Sequence, residues 1–287
     1  MIFANQAGRF VIVIGSNVVD VHESSGGKFG PDPAQVFSCW SEFLEWASSA
    51  TTHEATDVLD ERQLGAPSPT PRQVFGIGAN YRRHAEEAGW PLPEVPLTFT
   101  KFSSSVTGPC GEIELSGPRV DWEVETVVVI GKSARKVSAD EAWNYVAGIT
   151  LGQDLSDRDI QNLPTVYPQF SLGKSLPRFA PIGPVLVTPD SFADRNSIEI
   201  ACSLNGQEVQ RDRTSDLIFD VGELIAYLSG IVTLLPGDLI FTGTPSGVGV
   251  TMDPPRFLMA GDELVTTAPE IGTMHHRFVA VEDAVKS

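Results

Sequence analysis

Two rhythms of apolar residues run along the chain and divide it unevenly. In residues 9–22, RFVIVIGSNVVDVH, apolar positions crowd into short extended runs, which predicts a strand or hairpin. In residues 32–50, DPAQVFSCWSEFLEWASSA, the residues Val36, Phe37, Trp40, Phe43, Leu44 and Ala47 fall at helical spacing. Asp32 ahead of Pro33 supplies an N-cap. The proline-rich LGAPSPTPRQ reads as a linker or as the entry to a larger domain. Beyond it the pattern turns to strands: QVFGIGAN, LTFTKF, ETVVVIGK, AGITLGQD, GPVLVTP, SIEIACSLNGQEVQ, DLIFTGTP and DELVTTAPEIGTMHHRFVAV. Asn205-Gly206 between alternating runs signals a hairpin. Helical patterns are few, SADEAWNYV and FDVGELIAYLSGIV. This is not the strand-helix alternation of a doubly wound sheet. The pattern predicts an α+β, mostly β chain: a small N-terminal α/β unit over 1–65, then a mostly antiparallel β-roll or barrel-like domain over 70–287.

Composition narrows the function classes. The 287 residues are 41% hydrophobic, enough for a sizeable core. The net charge of −17, with no basic stripe, argues against nucleic acid and against an anionic membrane surface. No apolar run approaches the roughly 20 residues of a membrane helix. The N-terminus lacks the basic start of a signal peptide, and Asn5, Gln6 and Arg9 interrupt it. Cys39, Cys110 and Cys202 stand far apart without metal spacing, which predicts reduced thiols in a cytoplasmic protein. In so acidic a chain, a small anionic substrate needs local positive charge or a bound cation.

The stretch VDWEVETVVVIG, 120–131, carries three acids into an otherwise apolar strand. Glu123 and Glu125, two apart, project to one face, and Trp122 and Val124 to the other. Paired carboxylates at the mouth of a core need a cation, or one of them a proton. Asp154 follows the next strand, in GITLGQDLSDRD. Brought together, Glu123, Glu125 and Asp154 form an all-oxygen site suited to Mg²⁺ or Mn²⁺, with Ca²⁺ also compatible. From the E-x-E spacing alone, an exposed polar edge is the commoner outcome.

In GIGANYRRHAEEAG, His84 and Glu87 are three apart and share a helical face. A carboxylate beside an imidazole orients it and raises its basicity, as a general base requires. A charged surface helix would show the same residues. GIGAN is not GxGxxG, so a dinucleotide site is discounted.

Eight blocks occur in order: GIGANYRRHAEEAG, PLTFTKFSSSVTGP, VDWEVETVVVIGK, GITLGQDLSDRDIQ, SLGKSLPRFAPIGP, LNGQEVQRDRTSDLIF, YLSGIVTLLPGDLIFTGTPSGVG and AGDEL. Over roughly residues 70–280 the chain resembles the fumarylacetoacetate hydrolase family. The resemblance implies that family's fold, with Glu123, Glu125 and Asp154 as ligands to Mg²⁺ or Mn²⁺. It implies a water-activating pair in His84 and Glu87, and a charge-stabilising lysine in Lys174. It implies substrate contacts at Arg158, Gln161, Gly243 and Thr244, and a supporting role for Asp121. The implied activity is metal-dependent hydrolysis of a C–C bond in 2,4-dioxo acids of the acylpyruvate, fumarylpyruvate or fumarylacetoacetate type, through a metal-stabilised enolate. Decarboxylation of an oxaloacetate-like 2-oxo acid, or isomerisation of a dienoate, would use the same metal site. A homodimer and a place in aromatic or sugar-acid degradation are also implied. Departures from the family pattern include Phe102, Thr126, Gln153, Leu176 and Pro177; none removes a proposed ligand or base.

Other residues are expected to be structural. His275 and His276 point to opposite faces of a strand and cannot share an ion. His22 and His53 are expected at the surface. Arg211, Arg213, Thr214, Ser215 and Asp216 are expected to order a loop or a dimer contact. Trp122 is expected behind the metal strand, and Trp90 as a pocket wall.

Overall fold

The valine run of residues 127–129 does not alternate with polar residues because both of its faces are buried. Val127 and Val129 pack with Phe3, Phe10, Trp40, Leu186 and Phe241, whereas Val128 and Ile130 pack with Ile77, Leu224, Ile225 and Leu228. Such a strand must lie inside a sheet covered on both sides. The computed structural model describes residues 1–49, 54–55, 57–163 and 169–280, so His53 and the end of the expected second domain lie outside the described residues.

The main sheet runs in the order Asp57–Val58, Asn17–Asp20, Arg9–Ile14, Ile2–Gln6, Ala180–Val187, Val146–Gln153, Val124–Ile130, Leu239–Phe241, Val74–Gly78 and Leu97–Thr100. Along this path only the pairing of Leu239–Phe241 with Val74–Gly78 is parallel. A second sheet orders Gln207–Arg213, Glu199–Leu204, Glu263–Ala268, Gly272–Val279 and Cys110–Glu114. Its hairpin turns at Asn205 and Gly206, with φ of 52° and 81°, the positive values a two-residue turn demands. The chain is thus α+β with strands predominating, as the pattern predicts.

The leading segment is hydrogen-bonded into the main sheet. Ile2 pairs with Val187 and Phe3 with Leu186. Its helical region is two helices rather than one, Pro33–Phe37 and Trp40–Ser49. Asp32 caps the first by accepting from the Ala34 amide. The Ser38 hydroxyl donates to the Gln35 carbonyl at the break, a local bond that competes with helix continuation. SADEAWNYV forms a 3₁₀ helix, Ala139–Tyr145, and the second pattern forms the α-helix Val221–Ile231. His276 is buried and its Nε2 donates to the Gly108 carbonyl, while His275 is exposed, so the two histidines do face apart. Arg211 and Arg213 both pair with Glu199 across the hairpin.

Candidate active site

The site is built around a gap in a strand. Val120–Asp121 and Val124–Ile130 are separate strands, with Trp122 and Glu123 between them. Side chains replace the missing ladder bonds. The Glu123 amide donates to Gln153 Oε1 (2.9 Å) and the Val124 amide to Gln210 Oε1 (3.0 Å). The Asp154 amide donates to the Glu123 carbonyl at 2.9 Å, drawing the end of the Val146–Gln153 strand against the gap. As a result Glu123, Glu125 and Asp154 are all buried, with one carboxylate oxygen of each within 4.8 Å of the others.

Cations crowd around this triad. Lys174 Nζ donates to Glu123 Oε2 (2.8 Å), Asp154 Oδ2 (2.7 Å) and Ser156 Oγ (2.7 Å). Arg158 donates from Nε and Nη2 to Asp121 Oδ2 (2.9 and 2.7 Å), from Nη1 to Gln161 Oε1 (2.9 Å), and lies 2.8 Å from Glu123 Oε1. Asp121 also accepts from the Gly249 and Val250 amides (2.7 and 3.1 Å). It therefore braces Arg158. Burial would lift the Glu123 carboxyl, yet Lys174 and Arg158 bring it down to about 2. Burial lifts Glu125 well above the carboxylate range, helped by the charges of Asp154 and Glu123. Burial alone would lower Lys174, and the two carboxylates more than offset it.

The donor set fits a divalent cation. Four buried carboxylates (Asp121, Glu123, Glu125, Asp154) face three buried cations (Lys101, Arg158, Lys174). Among the described residues, Glu125 has no cationic partner within ion-pair distance and accepts only from the Gly243 amide, at 2.7 Å. Three buried carboxylate ligands without nitrogen or sulfur donors suit Mg²⁺ or Mn²⁺.

His84 sits on the short helix Arg82–Glu87, with Nδ1 3.4 Å from Glu87 Oε2. Glu87 in turn accepts from the Gly247 amide at 3.2 Å. Burial would raise the Glu87 carboxyl, but His84 and Gly247 hold it below its ordinary value. A cavity of about 90 Å³ joins the two halves: His84, Glu123, Arg158, Gln161, Lys174 and Thr244 all line it, and Trp90 closes one wall. Glu87, Glu125, Asp154 and Gly243 lie behind that lining. The Gly243 amide is spent on Glu125, and the Thr244 hydroxyl donates to the Val124 carbonyl at 2.9 Å. Thr244 thus has a place on the cavity wall, whereas the Gly243 amide faces a protein carboxylate.

Sequence reasoning overlooks four residues here. Lys101 is fully buried, and its Nζ donates to Asp154 Oδ1 (2.6 Å) and to the Lys174 carbonyl. Burial lowers its proton affinity against the pull of Asp154. A lone lysine closing the apolar run LTFTK is the signal that could have found it. Gln153, Gln210 and Asn80 are buried amides whose role depends on which distant backbone groups they meet, and no local pattern reveals that.

The family described as fumarylacetoacetate (FAA) hydrolase C-terminal matches residues 73–279. The human mitochondrial oxaloacetate tautomerase FAHD2A is 44% identical over 216 residues, 75% of this chain and 68% of that protein. A solved Mycobacterium smegmatis chain has a TM-score of 0.93 at 49% identity, covering 98% of this chain and 100% of its own. Maleylpyruvate hydrolase from Sphingobium sp. SYK-6, solved with manganese(II) and pyruvate, has a TM-score of 0.80 at 25% identity over 98% of this chain and 100% of that one.

Proposed function

Since the chain belongs to the fumarylacetoacetate hydrolase family, we propose that it is a divalent-metal-dependent enzyme that interconverts the keto and enol forms of a short 2-oxo acid of the oxaloacetate type. The observation that carries this reading is one imidazole, His84, lining the same cavity as Glu123 and Lys174. Glu123, Glu125 and Asp154 would hold a divalent cation, which would supply Lewis acidity toward the 2-oxo group. His84 takes the proton from the carbon beside the oxo group and returns it to the enolate oxygen. Glu87 holds the Nδ1 side of the ring, leaving Nε2 for the transfer. Lys174 and Arg158 set positive charge at the cavity floor, where a substrate carboxylate and the developing oxyanion are stabilised. The apolar wall of Ile77, Phe99, Phe170 and Val248 limits water at the reacting carbon. The identity to an oxaloacetate tautomerase supports this choice of substrate.

C–C hydrolysis of 2,4-dioxo acids is the second reading. The His84–Glu87 pair favours it, because the same base would serve to activate a water. It requires in addition a water aligned on the distal carbonyl, whereas tautomerisation requires only the proton carrier and the electrophile. Three free thiols support a cytoplasmic, reducing location, although the human relative is mitochondrial by name. A homodimer is part of the same reading, carried over from the family.

The deciding experiment follows the ultraviolet absorbance of enol-oxaloacetate with Mn²⁺, alongside product assays on acetylpyruvate, fumarylpyruvate and fumarylacetoacetate. Enol decay accelerated by the enzyme, and slowed roughly 10²-fold or more by His84→Ala, establishes the tautomerase. Pyruvate plus a second acid from a dioxo acid, with enol decay at the Mn²⁺-only rate, replaces it with the hydrolase. CO₂ above that background identifies a decarboxylase.

A further inference from the structure

The helix that carries His84 has little reason to exist by itself. It is six residues long, and its N-cap, Tyr81, makes no side-chain capping bond; so short a helix is unstable in water without tertiary contacts. Besides the Glu87–Gly247 bond, such contacts come from Asn80, just ahead of it and fully buried. Asn80 Nδ2 donates to the Thr242 carbonyl (2.7 Å) and the Phe219 carbonyl (3.0 Å), and Oδ1 accepts from the Phe219 amide (2.9 Å). Its own carbonyl accepts from the Ile218 amide at 2.7 Å. The residue before it, Ala79, has φ of 52°, a left-handed conformation that costs a non-glycine residue energy and so needs such support.

Thr242 matters as a partner because it opens the loop that holds two of the site's carboxylates. The Gly243 amide holds Glu125, and the Gly247 amide holds Glu87. A Cβ on Gly243 would lie 2.7 Å from the Asn80 Cβ, so the Gly243 backbone packs closely against the Asn80 side chain. One loop therefore grips a carboxylate of the triad and the carboxylate behind His84, while Asn80 locks the root of the His84 helix to its first residue. We propose that Asn80 is a positioning residue that sets where the His84 imidazole stands relative to the Glu123–Glu125–Asp154 triad. It touches neither the cavity nor the triad, and it acts through the loop and the helix. Its value to catalysis presumes the proton-carrier reading of His84, but the geometry it holds is measurable without turnover.

The test compares the wild type with Asn80→Ala and Asn80→Asp; the latter keeps the side-chain size and one acceptor but lacks both donors. The chain has five histidines, so the His84 ring resonances can be assigned by NMR. In the folded variants the His84 resonances are expected to shift or split, and their broadening by Mn²⁺ to change. Mn²⁺ affinity should stay close to that of the wild type. On the active substrate, kcat should fall by up to roughly 10²-fold, the effect of a misplacement of about 1 Å, with KM little changed. Asn80 is not a positioning residue if His84 shifts and broadening match the wild type in either folded variant, or if Mn²⁺ affinity collapses in parallel. Failure of both variants to fold would equally overturn it, by making Asn80 a general structural residue. If Mn²⁺ leaves wild-type His84 unbroadened, the cation-site reading falls, and the metal-free shifts still decide the role of Asn80.

Discussion

Glu125 is the carboxylate of the site that stands furthest from charge compensation, held only by the Gly243 amide among the described residues. Glu125→Gln keeps an oxygen for that amide and replaces a carboxyl whose ionisation burial and the charges of Asp154 and Glu123 oppose. Its melting temperature without metal should equal or exceed that of the wild type, because burial of an uncompensated carboxylate is costly. Its Mn²⁺ affinity should fall, as calorimetric titration would show; undiminished affinity would remove Glu125 from the ligand set. A second residue reports on pH. Burial brings the His276 imidazole down to about 4 from an ordinary 6.5, with Nδ1 left without a partner. The unfolded chain binds this proton more readily, so stability is full above pH 6.5 and declines as pH falls toward 4. The shift corresponds to about 3 kcal/mol at its limit. Urea unfolding at pH 7 and near pH 4.5 should show a smaller acid loss in His276→Gln than in the wild type. Equal losses would place the acid sensitivity elsewhere.

Elements behave as their local sequences dictate where the deciding contacts are also local. Asp220 and Glu223 form a reciprocal capping box at the start of Val221–Ile231, and this helix packs its apolar face on Ile240 and Ile130 in the core. Asp220→Ala should cost about 1 kcal/mol, seen as a drop in the urea midpoint with unchanged slope. A neutral result would mean that core packing alone holds that end. The Asn205-Gly206 hairpin is equally legible, because a two-residue turn between alternating runs demands positive φ. The helix over 32–50 is less so: its apolar spacing continues through Ser38 and Cys39, and the side-chain bond that breaks it leaves no mark on periodicity. The strand over 120–131 also divides, because the amides at its gap are met by Gln153 and Gln210, 30 and 86 residues away.

Across the whole molecule, the leading segment and the site share one sheet. Phe3, Phe10, Trp40 and Phe43 pack in the same core as Val127 and Phe241, and Val127 lies two residues beyond Glu125. Deleting residues 1–65 would unpair one edge of Ala180–Val187 and expose that aromatic cluster. The truncated chain should aggregate or lose cooperative unfolding; a soluble, cooperatively melting product would show that the 70–287 region is an independent domain. Binding also couples to the whole fold. If the triad binds Mn²⁺, metal at 100 times its dissociation constant stabilises the native state by about 2.7 kcal/mol, so Mn²⁺ should raise the wild-type melting temperature and raise that of Glu125→Gln less.

The sequence by itself determined the family and the strand-rich class, and the family resemblance, rather than local spacing, pointed to Glu123, Glu125, Asp154 and the His84–Glu87 pair. Periodicity, turn chemistry and motif order are local properties. Only the tertiary structure decided how the charges balance. Lys101 meets Asp154 across 53 positions, and the Gly243 amide meets Glu125 across 118. Asn80 reaches Thr242 across 162. These contacts join buried polar groups that must find partners once water is gone, and which partner each finds depends on how the sheets bring distant backbone together.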